Sequence, residues 1–355
     1  MPPQKYGIIY SELTLLLSLC TTDPYLLQRM ITENTIALII PYYNGSDYIE
    51  AAIGSAFSQT LPFHEVIVVD DGSKESESLL LEALLEKYPF TYIKQENGGQ
   101  GSARNAGCHL AVSDYVCFLD QDDVLLPEHN TILITAIHAQ PLERRGWVYA
   151  NFAICHSNGK ITSIKSRPKV SADTIKIIYN LVSQDLFILP SACIICKKAF
   201  WAVGGFDAQF RGYEDDDLFI RMFLKGFEYA FEDQDVYIWR THGAQTSSSN
   251  LMLTSRMLFI HKWFYGNHDP SIHLDGIRQS LYNRFKITIL RDVLEAGTPE
   301  RLGLAKKYCQ EFSKTFYSNQ KGFEKTAFTV FNLFPQKLLK TTLFMLKIFG
   351  IRLFW

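Results

Sequence analysis

Two short β-branched runs, each breaking off into polar residues, frame the first part of the chain. "TIALIIPYYN" at 35–44 is closed by Pro41, and "HEVIVVDDGS" at 64–73 ends in two aspartates. Continuous apolar stretches of this length predict buried parallel strands. Between them Tyr48, Ile49, Ala52, Ile53, Ala56 and Phe57 recur at helical spacing, with Ser46 or Asp47 as the N-cap, so the first unit reads strand, helix, strand. "ESLLLEALLEKY" and "GSARNAGCHLAV" continue as helices, "FTYIKQ" and "DYVCFLD" as strands. This alternation predicts an α/β sheet that presents ligands at the carboxyl ends of its strands. Beyond about residue 248 the pattern changes to longer helical stretches, which predicts a boundary there; no internal repeat or low-complexity tract interrupts the chain.

Composition narrows the classes. With 355 residues, 47% of them hydrophobic and 14% aromatic, the chain has enough apolar surface for one large domain with an appendage, or for two domains. A formal net charge of -2 gives no basic field to recruit nucleic acid, so no nucleic-acid partner is expected. The seven cysteines are odd in number and scattered through apolar segments, which suits thiols in a reducing cytoplasm better than a disulfide framework. Cys193 and Cys196 have C-x-x-C spacing, but no second pair accompanies them, so they are assigned to core packing.

The two ends differ. "IIYSELTLLLSLC" carries Glu12 and is short of the roughly 20 apolar residues that cross a bilayer, so residues 1–34 read as an N-terminal helical extension. The tail 331–355, "FNLFPQKLLKTTLFMLKIFGIRLFW", interleaves Lys337, Lys340, Lys347 and Arg352 with apolar residues and has no acidic one. It predicts a basic amphipathic stretch lying on an anionic membrane surface, with packing against the catalytic domain as the alternative.

Polar clusters fall where such a sheet would present its ligand face: Tyr42, Tyr43 and Asn44, then Asp70 and Asp71, the glycine loop 98–101, and Asp120 to Asp123. In "NGGQGSARNAG", Gly99 and Gly101 fit the first glycines of the dinucleotide fingerprint, but Arg104 stands at the third position and the loop follows the third strand, so a Rossmann cofactor site is not supported. The loop suits instead a helix start lying against a nucleotide, with Arg104 one turn in. In an extended segment, Asp120 and Asp122 at i and i+2 would aim two carboxylates at one point, which suits a divalent cation with positions open for diphosphate oxygens. Asp123 reads as a cap for the next helix.

Further on, "GGFDAQFRGYEDDDLFIRMFLKGF" predicts a glycine turn and a helix with Leu218, Met222 and Phe223 on one face and Glu214 and Asp215 in its first turn. Such carboxylates serve the helix dipole as readily as chemistry. Asp216 and Asp217 read as solvated positions. An alternative enzyme class starts from D-x-D-x-[TV], matched by Asp120, Asp122 and Val124: a haloacid-dehalogenase-like phosphatase with Asp120 as nucleophile. That motif normally closes the first strand of its domain, and the phosphatase reading leaves "PYYN" and "VVDDGS" unexplained. A non-catalytic nucleotide-binding module is the second alternative.

Taken in order, "IIPYYN", "VIVVDDGS", "NGGQGSARNAG", "FLDQDDVLLP", "GGFD", "YEDDDLFIRM" and "WRTHGAQTS" resemble the family 2 glycosyltransferases over roughly residues 35–247. The resemblance implies a GT-A, Rossmann-like mixed sheet flanked by helices at 35–247; residues 248–355 fall outside it and read as mostly helical from their own pattern. It implies an inverting transfer from a nucleotide-sugar, UDP-linked, to a carbohydrate or lipid-linked acceptor in cell-surface polysaccharide or glycolipid synthesis. Pro41, Tyr42, Tyr43, Asp71, Gly99, Arg104, Asp120 and Gln121 are then assigned to the nucleotide, Asp120, Asp122 and His242 to Mn2+ or Mg2+, and Asp215 to the catalytic base. A cytoplasmic protein, peripheral at the inner face of the cytoplasmic membrane, is expected.

Overall fold

The first β-branched run forms β1 (Ile36–Tyr42), buried along its whole length between two parallel neighbours, β2 (Glu65–Asp70) and β4 (Tyr115–Phe118). The computed structural model describes residues 35–156, 159–164, 182–183, 188–241, 250–266, 274–319 and 322–339. The N-terminal extension at 1–34, His242 and the end of the basic tail from residue 340 lie outside these residues. β3 (Thr91–Lys94) continues the parallel half beyond β2, and β8 (Cys193–Cys196) runs antiparallel to β4 on the other side. β6 (Arg145–Cys155), β9 (Glu228–Arg240) and β5 (Val124–Leu125) complete the order β3-β2-β1-β4-β8-β6-β9-β5, with β7 (Ile161–Ile164) paired to β6. The described sheet is therefore mixed. An outer half with antiparallel neighbours is grafted onto a parallel half that repeats strand, helix, strand.

Alternation along β1 divides the core into two layers, because successive side chains of a strand point to opposite faces. Ile36, Leu38 and Ile40 join one layer together with Ile49 and Ile53 of α1 (Ser46–Phe57), Leu81 of α2 (Glu75–Ala83) and Leu133 of α4 (His129–His138). Ala37 and Ile39 join the other with Ala103 of α3 (Gln100–Leu110), Phe200 of α5 (Lys197–Ala202) and Leu218, Met222 and Phe223 of α6 (Glu214–Lys225). This second layer runs on without a break into α7 (Asn250–Tyr265), α8 (Leu274–Glu295), α9 (Pro299–Thr315) and α10 (Gly322–Leu333) through Phe259, Leu281, Phe312 and Phe328. Each of these is at most 2% exposed, so the C-terminal helices are welded to one face of the sheet.

Local expectations are corrected at two places. β1 runs through Pro41 to Tyr42, because the ladder to β4 has already ended at the Ile39–Phe118 pair and a proline without an N–H costs little there. Neither Ser46 nor Asp47 caps α1; the cap position is Gly45 and no side chain bonds to it. The free Ser46 N–H donates instead to the Glu77 carboxylate of α2 at 3.2 Å, and the buried Tyr42 hydroxyl donates to the same oxygen at 2.9 Å. The described cysteines are all free, and burial pushes the Cys193 thiol well above its ordinary pKa, as a packing role requires.

Candidate active site

The carboxyl ends of β1, β2 and β4 meet as predicted, and the two aspartates after β2 separate into different roles. Asp70 is fully buried and accepts from the Ser73 N–H (2.8 Å), the Ser78 hydroxyl (2.5 Å) and the Tyr92 hydroxyl (3.1 Å). Burial alone would raise its pKa, and these donors bring it below the usual value. Asp71 accepts from the N–H groups of Gly98 (2.8 Å) and Gly99 (2.7 Å) and from Gln95 (2.7 Å), so its carboxylate fixes the loop that opens α3. Gly99 has φ of +85°, which favours glycine, and a Cβ there would also have to displace the Arg211 side chain.

The segment after β4 is a turn and not an extended strand end. The Asp123 N–H donates to the Asp120 carbonyl at 3.0 Å, which removes the alternation that was to aim Asp120 and Asp122 at one point. Gln121, at the tip of this turn, reaches across to β1: its Oε1 accepts from the Tyr43 N–H at 2.7 Å and its Nε2 donates to the Tyr43 carbonyl at 3.2 Å. Tyr43 keeps 49% of its surface exposed beside this junction. Asp123 is buried and accepts from the Arg240 N–H at 2.9 Å, which joins the turn to the end of β9. Burial, reinforced by Asp120 and Asp122, pushes the Asp123 carboxyl well above its ordinary range. It ties two strands together and does not cap α4, whose cap residue is Glu128.

Arg104 links this turn to the second acidic cluster. It is 1% exposed, with Nη2 donating to Asp120 at 2.5 Å and Nη1 donating to Glu214 at 2.9 Å, while its guanidinium lies 5.2 Å from the Phe206 ring centre. Burial alone would lower its pKa, and Asp120 and Glu214 reverse that and hold it above its ordinary value. Gln100, on the preceding turn of α3, also donates to Glu214. Asp120 keeps 37% of its side chain exposed, so part of this carboxylate faces outward from the bridge.

At the start of α6, Tyr213 adopts a left-handed conformation with φ of +65°, a strained state for an aromatic residue that persists only where its surroundings enforce it. Arg256 of α7 donates to its hydroxyl at 3.0 Å and also pairs with Asp292 of α8. The four following carboxylates then diverge. Glu214 is buried against Arg104, and Asp215 accepts from the Asp216 N–H at 2.8 Å beside a cavity of about 370 Å³. Asp216 pairs with Arg284 of α8 at 2.5 Å, with 12% of its side chain exposed. Asp217 is fully buried between Arg221 (2.8 Å) and Lys262 (2.7 Å). The expectation that Asp216 and Asp217 are solvated is therefore overturned: C-terminal helices cover the face of α6 from which they project.

The structure brings together Pro41, Tyr42, Tyr43, Gln121 and Asp120, and it joins Asp120 through Arg104 to the turn that bears Asp215. Sequence reasoning missed Glu214 as the partner of Arg104, Glu77 as the acceptor that orders the start of α1, and Arg284 as the partner of Asp216. The last comes from α8, beyond every motif singled out along the chain. One arginine among the three of a long helix carries no sequence signal of this kind.

With this geometry in hand, the similarities to known proteins acquire a structural meaning. Residues 37–201 match the model of glycosyl transferase family 2. An uncharacterised glycosyltransferase of Rickettsia prowazekii is 28% identical over 234 residues, 63% of this chain and 70% of that one. The structure of S. aureus TarS residues 1–349 in complex with UDP-GlcNAc superposes with a TM-score of 0.59 at 21% identity, over 79% of this chain and 81% of that chain. The mannosyltransferase PcManGT of Pyrobaculum calidifontis, in complex with GDP-Man and Mn2+, gives a TM-score of 0.50 at 16% identity, over 85% and 87% of the two chains. These likenesses extend the fold past the family match into the C-terminal helices. They leave the phosphatase alternative without support, and its D-x-D motif here closes the fourth strand of the chain.

Proposed function

Because the chain belongs to glycosyl transferase family 2 and is a glycosyltransferase, we propose that it moves a sugar from a UDP-linked donor to an acceptor hydroxyl with inversion at the anomeric carbon. The observation that carries this reading is the Arg104 bridge, in which one buried guanidinium ties Asp120 to the first turn of α6. A direct displacement needs no protein nucleophile; it needs a donor and an acceptor held in line and charge stabilisation at the leaving diphosphate. Asp71 organises the glycine loop, and the exposed Tyr43 ring, fixed by Gln121, offers a surface for a base. Asp215 takes the proton of the attacking hydroxyl. Asp215 lines the cavity beside the first turn of α6, and the match of Glu214 and Asp215 to the family's E-D pair supports its role. The UDP-GlcNAc held by TarS supports the choice of donor class.

A divalent cation is part of the reading, supported by the Mn2+ in PcManGT. Among the described residues no group of three or more His, Cys, Asp or Glu side chains is disposed to hold an ion, and His242 lies outside them. Asp120, partly exposed, fits an open site of the Mg2+ type, in which one or two carboxylates hold the ion and phosphate oxygens complete its shell, and Asp122, two residues along the same turn, is the second carboxylate that the reading assigns to it. Such an ion, when bound, neutralises charge on the departing diphosphate. Turnover of a panel of nucleotide-sugars, with calorimetry of UDP in Mg2+, in Mn2+ and in chelator, tests the reading. Metal-dependent UDP binding that Asp122→Ala abolishes is the expected result; equal affinity with and without metal would remove the cation from it.

The same reading includes peripheral attachment to the inner face of the cytoplasmic membrane and a role in polysaccharide or glycolipid synthesis. No described helix is long and apolar enough to cross a membrane. At the start of the basic tail Phe331 and Leu339 pack into the core, whereas Leu333, Phe334 and Leu338 are 73%, 43% and 48% exposed beside Lys337. Sedimentation with anionic liposomes tests this part: a full-length chain that stays in the supernatant as readily as one truncated before Phe331 would refute it.

A further inference from the structure

Three consecutive residues lead into α6, and one face of α7 holds all three. Met252, Ser255 and Arg256 stand at i, i+3 and i+4 on that helix and so share a face. The buried Ser255 hydroxyl accepts from the Arg211 N–H at 2.7 Å. Met252 packs against Gly212, its Sδ 2.8 Å from the place a Cβ would take, and Gly212 has φ of +130°. Arg256, 6% exposed, donates to the Tyr213 hydroxyl at 3.0 Å while Asp292 of α8 pairs with its Nη1. The Tyr213 ring packs on Phe259 of α7, at 5.4 Å between ring centres, and on Phe285 of α8, at 5.8 Å. All of these residues lie beyond the family match at 37–201.

Strain at Tyr213 opposes folding, and glycine or asparagine would take up φ of +65° more readily. A tyrosine there is justified by what its ring and hydroxyl tie down. Two residues of positive φ in succession turn the chain sharply, so their angles set the direction in which the first turn of α6 leaves Tyr213. We infer that this face of α7 is a positioning element for the reaction: Arg256, through the Tyr213 hydroxyl, fixes the angle at which Asp215 meets the attacking hydroxyl. The inference rests on Asp215 being the base. Strained backbone persists where its surroundings over-determine it, and here three side chains of one helix do so. The same segment reaches the donor side, because Arg211 Nη1 donates to Asn97 of the glycine loop at 3.1 Å and Asn97 donates to the Asp71 carbonyl at 2.9 Å. One helix face thus sets the aim of the base and braces the loop that Asp71 organises.

Tyr213→Phe removes the hydroxyl and keeps the ring, and a double-mutant cycle with Asp215→Asn on the full chain tests the inference. Turnover is followed as UDP released from the nucleotide-sugar that the donor panel selects, and UDP affinity by calorimetry. Misplacing a reacting group costs on the order of ten- to a hundredfold, so Tyr213→Phe should lower kcat by that factor with UDP affinity unchanged. In the Asp215→Asn background the same substitution should change kcat by less than about twofold, because the group it aims has gone. A merely stabilising contact would lower the melting temperature and leave kcat unchanged at temperatures where the variant is folded. Arg256→Lys lacks the planar fork that bonds Tyr213 and Asp292 together; it should behave alike, and it decides the matter if Tyr213→Phe does not fold. Unchanged kcat in both variants, or an equal fold-loss in both backgrounds, in an enzyme that Asp215→Asn disables overturns this inference alone. Full turnover by Asp215→Asn itself overturns the base reading, and this inference with it.

Discussion

The two acidic clusters of this protein have similar composition and opposite construction. Asp120, Asp122 and Asp123 sit on a turn whose backbone is pinned by its own 3.0 Å hydrogen bond and by Gln121 and Arg240, so that the loop is fixed first and Asp120 stays partly exposed. Glu214 to Asp217 sit on a helix, where each residue rotates about 100° from the last and therefore meets a different neighbour. Adjacent carboxylates become a buried bridge, a cavity wall, a paired group and a core ion pair. The difference teaches that density of charge in a sequence says little about its use: the turn fixes its backbone and leaves Asp120 partly exposed while burying Asp123, and the helix turns each carboxylate toward a different neighbour.

The strongest way to break that comparison is to alter Asp215, the carboxylate assigned to chemistry. General-base catalysis contributes about 10²–10⁴-fold, so Asp215→Asn should lower kcat by that factor with UDP affinity unchanged in calorimetry, since the lost interaction belongs to the transition state. Normal turnover by this variant with an authentic donor and acceptor would end the assignment. Next in size is Asp217, which the structure moves from the surface to the core. Asp217→Ala leaves the Arg221 and Lys262 charges facing an empty buried site and should cost about 3–5 kcal/mol in urea unfolding. A loss below about 1 kcal/mol, as typical of a surface ion pair, would return it to the solvated face.

The core layer that contains α4 offers a comparison through pH. His129, at the start of α4 and fully buried, is held by burial at a pKa of about 4 against an ordinary 6.5. Its folded form stays neutral, whereas the unfolded chain takes up a proton below 6.5, so the stability tied to this site is complete above that value and is lost as pH falls toward 4. The loss amounts to about 3 kcal/mol, and His129→Gln should flatten the slope of unfolding free energy between these two pH values. A slope unchanged by that substitution would show that the imidazole is protonated in the fold. The smallest effect is expected at the pin of the turn: Gln121→Ala removes two hydrogen bonds to Tyr43 at a partly exposed site and should cost about 1 kcal/mol of stability, with UDP affinity falling only a few-fold.

Much of the parallel half was legible because its signals are local. β-branched runs, helical spacing around Ile49 and Ile53, and the glycine loop depend on neighbours within a few residues; β1 to β4 and α1 fall within the predicted stretches, and α2 and α3 begin at Glu75 and Gln100, just ahead of theirs. The order of motifs, and with it the resemblance to a glycosyltransferase family, was equally legible. Where local signals conflict with long-range partners, reading the chain fails in a consistent way. The start of α1 takes its acceptor from Glu77 and not from Ser46, and the aspartates after β4 fold into a turn joined to Arg240 of β9, more than a hundred residues away.

The sequence by itself determined that the chain alternates strands and helices, that carboxylates, a glycine loop and tyrosines gather at one edge of the sheet, and that residues 35–247 resemble the glycosyltransferases. Only the tertiary structure decided which partners Glu214, Asp216 and Asp217 meet. The reason is physical: within one helical turn the four are chemically almost alike, and they are told apart by Arg104 on α3, Arg284 on α8 and Lys262 on α7, cations set by the packing of elements that are far apart along the chain.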